Sequence, residues 1–141
     1  AMTAQKALLT WMIEDERLYD KISSYIHPGD FEEGIYRRVA ELLYEQRAAG
    51  SLNPAGILNY FTEEEEHREA ASLFNTKIRK LRTKEEEEQA LKEIILQVKA
   101  RSIDERTMNL DPADMAGLQQ LMAEKRKLEG LRTLHISIDH G

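Results

Sequence analysis

Carboxylates, imidazoles and basic side chains are the groups in this 141-residue chain that could do chemistry, and their spacing decides whether they do. Two glutamate runs, Glu63–Glu66 and Glu85–Glu88, would have to converge to hold a divalent cation. Four successive residues on a helix point in different directions, so neither run converges. Each instead falls in the first turn of an expected helix, where the helix dipole favours negative charge, and is expected to be solvated. The histidines are His27, His67, His135 and His140, and no two stand at the spacing of a helix-borne metal pair. There is no cysteine, which excludes disulfides and thiolate metal sites and fits the cytosol. No glycine-rich phosphate loop, dinucleotide fingerprint, nucleophile elbow or His-Glu-x-x-His pair occurs. No catalytic, cofactor-binding or metal-binding residue can be named, and the chain is expected to be neither an enzyme nor a cofactor carrier.

One basic patch remains: Lys77, Arg79, Lys80, Arg82 and Lys84. It could receive an acidic peptide tail or a nucleic acid strand. It could equally be a connector whose charges offset the flanking glutamates. No aromatic side chains interleave with it, so stacking platforms for single-stranded bases are missing. The net charge of −6 also opposes strong sequence-independent binding to phosphates.

The elements that would position these groups are all helical. Aromatics are only 6% and charged residues 33%, with strong helix formers dominant. No apolar run approaches the roughly 20 residues of a membrane span, and no secretory leader is apparent. Ala1 standing before Met2 suggests a piece cut from a longer protein. Thr3 is placed to cap a first helix over 4–14, and apolar spacing predicts a second over 16–26. His27-Pro28-Gly29-Asp30 stops the second helix, and Phe31 is expected to plug the core. A third helix is expected over 33–48, ended by Gly50, and Asn53-Pro54 opens a short fourth. Thr62 with Glu65, and Thr83 with Glu86, each read as a capping box opening a helix.

Two long segments close the chain, about 84–108 and 112–134. Asp111 is expected to cap the second and Pro112 to occupy its first position. The result is an all-α fold: a helical bundle over 1–98 and a helical hairpin over 99–141, with the long helix shared across the boundary. The last helix carries Met115, Leu118, Leu121, Met122, Leu128, Leu131 and Leu134, more apolar surface than one antiparallel seam covers. The surplus either packs on the rest of the chain or forms an adaptable docking surface.

The order of these residues resembles the C-terminal helicase-binding domain of bacterial DNA primase. The likeness is carried by Ala7-Leu8-Leu9-Thr10-Trp11-Met12-Ile13-Glu14-Asp15, by Asp30-Phe31 before Tyr36-Arg37-Arg38, and by Gly50 before Asn53-Pro54-Ala55. Near the end it is carried by Glu105-Arg106-Thr107, the break at 109–112, and Glu124-Lys125-Arg126-Lys127-Leu128. The amino-terminal domain of the replicative helicase has a similar fold. It usually shows a Pro-Ile-Asp-like start to its fourth helix and a later glycine pair, neither of which is present.

The resemblance implies a cytoplasmic, non-catalytic module of the primosome that docks on the amino-terminal domains of the replicative helicase hexamer. It would hold primer synthesis at the replication fork by effective concentration. The nucleotidyltransferase chemistry of the parent primase would lie elsewhere. The hairpin is the main handle in that family, which points to Met115, Leu118, Met122, Lys125, Arg126 and Leu128. The Lys77–Lys84 patch becomes a candidate receiver for the acidic tail of single-strand-binding protein, as in some primases. No membrane partner and no strong direct nucleic acid binding are expected. Other classes stay open: the helicase's own amino-terminal domain, a single-strand or acidic-tail binding module, or a small helical enzyme for which no candidate residues stand out.

Overall fold

A computed structural model describes residues 3–76, 83–134 and 136–138. Among the described residues every regular element is helical: α1 (Ala4–Glu14), α2 (Glu16–Ser23), α3 (Ile35–Ala48), α4 (Pro54–Leu58), α5 (Glu64–Asn75), α6 (Lys84–Met108) and α7 (Met115–Thr133), with a 3-10 turn at Pro28–Asp30. None of these helices is long and apolar enough to cross a membrane. The chain divides into two compact units, Ala1–Arg79 and Lys80–Gly141. All of α6 therefore groups with α7, whereas the sequence places a soft boundary at 98/99.

In the first unit, α1 packs on α2, α3 and α5, and α3 also meets α4, α5 and the 3-10 turn. Leu8, Leu9, Met12, Ile22, Ile26, Phe31, Val39, Leu43, Ile57 and Leu73 are almost wholly removed from water. Phe31 fills the core as expected, while Trp11 is only half-buried. Local chemistry sets the ends of the helices. The Thr3 hydroxyl accepts from the Lys6 amide at 3.2 Å, and Asn53 Oδ1 accepts from the Gly56 amide at 3.2 Å. Gly50 sits at φ +95° after α3, a left-handed setting that costs glycine little.

In the first unit three starts or stops differ from the sequence expectation. α3 begins at Ile35, because Gly34 stands at φ +119° and cannot be part of a right-handed helix. α2 ends at Ser23, where the Ser23 and Ser24 hydroxyls both donate to the Asp20 carbonyl and compete with helix continuation. α5 is preceded by Glu63, not capped by Thr62, and has no side-chain cap.

The second unit is an antiparallel hairpin. Thr83 and Glu86 form the expected reciprocal box at the start of α6, a helix of 25 residues and about 37 Å. The return begins later than expected. Asp111 Oδ1 accepts from the Ala113 amide, and its carbonyl accepts from the Asp114 amide, so Asp111-Pro112-Ala113 makes a turn. Asp114 is the true N-cap of α7, its Oδ1 accepting from the Gly117 amide at 2.8 Å. Ile103, Leu121 and Leu128 form the seam, with Leu96, Ala100 and Leu110 packed against them.

Candidate functional site

α7 carries two rows of side chains, each stepping alternately by three and four residues, which is how a helix keeps a row on one face. One row is Gly117, Leu121, Glu124, Leu128 and Leu131; Leu121, Leu128 and Leu131 are buried and Gly117 and Glu124 half-buried. The other is Met115, Leu118, Met122, Lys125 and Glu129, and every member is exposed. Of the expected docking residues, Met115 is 61% exposed, Met122 50% and Leu118 38%. Lys125 and Arg126 are exposed beside them, giving an apolar strip with a basic end on the outer side of the hairpin.

Leu128 does not belong to that strip. It is 6% exposed and packs into the seam with Ile103 and Leu121. The reason is helical phase: 128 lies three and four steps from 131 and 124 on the inward row, whereas 125 and 129 continue the outward one. Its expected role in docking is therefore corrected to sealing the hairpin.

A charged cluster missed by the sequence reading sits in the middle of the inward row. Glu124 Oε1 pairs with Lys99 Nζ at 2.8 Å and accepts from Arg106 Nη2 at 2.9 Å. Glu124 Oε2 accepts from Arg106 Nη1 at 2.8 Å, completing a two-pronged contact. Arg106 Nε also donates to the Ser102 hydroxyl at 3.2 Å, which fixes the fork. The side chain of Lys99 is 7% exposed and that of Glu124 14%. Hydrogen bonding from Arg106 holds the Glu124 carboxyl down to about 2; burial opposes this and Lys99 reinforces it. The signal was present in the sequence: charged residues stand where the apolar period of each helix demands a seam residue, at Lys99 between Leu96 and Ile103 and at Glu124 between Leu121 and Leu128.

Two more side chains of α6 hold the far end of α7 and the segment after it. Lys92 Nζ donates to the carbonyls of Arg132 and Leu134, closing the last turn. Glu88 accepts from the Ile138 amide at 2.6 Å and is 3% exposed, so the run Glu85–Glu88 is not wholly solvated as expected.

Of the basic patch, Lys77, Arg79, Lys80 and Arg82 lie outside the described residues, and Lys84 is exposed at the start of α6. His27 and His67 are exposed, and His135 and His140 lie outside the described residues. In the first unit, Arg37 is tied inward, its Nε donating to the Phe31 carbonyl at 2.8 Å and its Nη2 to the Gly29 carbonyl at 3.3 Å. Arg38 lies over the Tyr60 ring at 4.9 Å.

No family model, curated protein or solved structure matches the chain.

Proposed function

We propose that this chain is the non-catalytic helicase-binding domain of a bacterial DNA primase, and that it docks on the amino-terminal domains of the replicative helicase through the outer face of α7. One observation carries the reading. The hairpin is sealed by its inward row and the Glu124 cluster, so Met115, Leu118 and Met122 are left exposed with Lys125 and Arg126 beside them. Adaptable apolar anchors with a charged rim are the usual energetic layout of a protein interface. The resemblance of the residue order to the primase domain is what points to that partner.

The test is co-migration of this chain with the replicative helicase of its own organism on size exclusion. The expected result is a shared peak with the helicase hexamer. Lys125→Glu with Arg126→Glu should weaken binding about tenfold or more, because two rim charges then have the wrong sign. Melting should stay within about 0.5 kcal/mol of the parent, as exposed substitutions usually do. Reversal of exposed Arg17 and Arg68 on the first unit is the control and should leave binding intact. Arg37 is unsuitable for that purpose, because it holds the Gly29–Phe31 segment. Failure to co-migrate, or loss of binding only in the control, would overturn the docking role.

A further inference from the structure

α7 is apolar on two sides, and in its first half the outward side is the more apolar. Before residue 124 the inward row offers Gly117 and Leu121, while the outward row offers Met115, Leu118 and Met122. Burial of apolar surface alone would favour turning the second set inward, at about 25 cal/mol for each Å² removed from water. After residue 124 the preference reverses: Leu128 and Leu131 lie inward, and Lys125 and Glu129 outward. Glu124 stands at the junction of the two halves, contacting Lys99 and Arg106, which are seven residues apart on α6.

We propose that the Lys99–Glu124–Arg106 cluster is a rotational key, which sets α7 about its own axis and so determines that Met115, Leu118 and Met122 face outward. A carboxylate buried between two cations has few acceptable positions. Turning α7 by about a third of a turn would bring the outward row to the seam, carry Glu124 away from it and break its contacts with Lys99 and Arg106, which are costly to lose between charges in a nearly dry seam. Buried polar groups are known to fix register and orientation where apolar packing is degenerate. Gly117 contributes at the tip. A Cβ there would stand 2.8 Å from Leu110 Cδ1 and 2.5 Å from Asp114 Oδ2, so glycine leaves room for Leu110 and the capping Asp114 over the first turn of α7. The key thus acts through position and need not touch a partner. Its relevance to docking rests on the function proposed above, but the setting of the helix can be measured without any partner.

The experiment uses the full chain with methyl-labelled methionine, leucine and isoleucine, and reads nuclear Overhauser contacts to the Ile103 methyls. In the parent protein Leu121 should contact Ile103 and Met122 should not. In Glu124→Ala, helix content should persist, a second set of Met115 and Met122 methyl signals should appear, and Met122 or Leu118 should contact Ile103. Glu124→Asp, which keeps the charge, should retain the parent contacts. Helix loss without refolding into a second setting is a change the key does not predict. If Glu124→Ala does unfold the hairpin, Glu124→Gln, which keeps the shape and removes the charge, is read in the same way. A variant that keeps helicity and the Leu121–Ile103 contact alone would overturn the proposal, since apolar packing would then suffice. Unfolding of both neutral variants would also overturn it, since the cluster would be a general support of the fold. Co-migration with helicase is measured separately: loss of binding in a variant with a turned α7 joins the two readings, and a key that works in a chain that never binds refutes the docking role alone.

Discussion

At the scale of single residues, Glu124 is a side chain whose ionisation supports the fold. Its carboxyl is held at about 2 in the folded chain against an ordinary value of 4.5. A lowered pKa means that the native state favours the charged form, so the contribution is present above about pH 4.5 and is lost as pH falls through about 2. A shift of that size corresponds to roughly 3 kcal/mol or a little more, reduced to about 2–3 kcal/mol because the Arg106 side chain is 38% exposed and partly screened. The expected outcome concerns a difference of two curves. Denaturant midpoints of the parent and of Glu124→Gln should be well separated at pH 6 and should converge between pH 4.5 and 2. Other carboxylates titrate in both proteins and cancel in the difference. A gap that stays constant down to pH 2 would mean that Glu124 contributes shape but little charge. Charge at position 124 was visible in the sequence as a break in an apolar period. Its partners were not, because pairing depends on which face of α6 lies opposite, and apolar spacing alone does not specify that.

At the scale of elements, helix starts were legible wherever one capping residue had no competitor. Thr3, Asn53 and the pair Thr83 and Glu86 each satisfy an amide that the first helical turn leaves unpaired, and each start lies where the residue types indicate. Starts were misread where two residues could serve. Asp111 and Asp114 are both good caps, and Pro112 makes the first look favoured. Yet the chain must reverse direction between Met108 and Met115, and a turn closed by Asp111 uses three of those residues before the helix can begin. Thr62 fails for a related reason: Glu63 takes the extended setting before α5, and three glutamates in its first turn offset the dipole without a hydroxyl cap. These assignments differ measurably. Asp114→Ala should destabilise the hairpin by about 1 kcal/mol, the usual cost of an N-cap. Thr62→Ala should cost less than about 0.5 kcal/mol, as an exposed change away from any cap. Thermal melts of both single variants decide the matter; equal losses would restore Thr62 as a cap.

At the scale of the whole molecule, the all-helical class followed from composition and period, but the division into units did not. A 25-residue amphipathic helix can be shared between a bundle and a hairpin or belong to one of them, and its own sequence satisfies either arrangement. The grouping of α6 with α7 depends on contacts that form only once α7 and the segment after it return along α6, through Lys92, Glu88 and Glu124. The same return separates residues that the sequence could only list together as apolar. Leu128 and Met122 should therefore behave oppositely. Leu128→Ala removes a seam side chain and should cost about 2–4 kcal/mol of stability, because the neighbours collapse only partly onto the cavity. Where the variant remains folded, its affinity for the helicase should be near that of the parent. Met122→Ala removes a side chain already half in water, so its melting should change by less than about 1 kcal/mol. Under the proposed docking role Met122 is instead an anchor, and its truncation should weaken helicase binding by about 1–2 kcal/mol, or roughly five- to thirtyfold. Stability is read by chemical denaturation and affinity by calorimetry on the same preparations. If Met122→Ala bound normally while folded Leu128→Ala did not, the partner would be reading the seam of an opened hairpin, and the outer face of α7 would not be the handle.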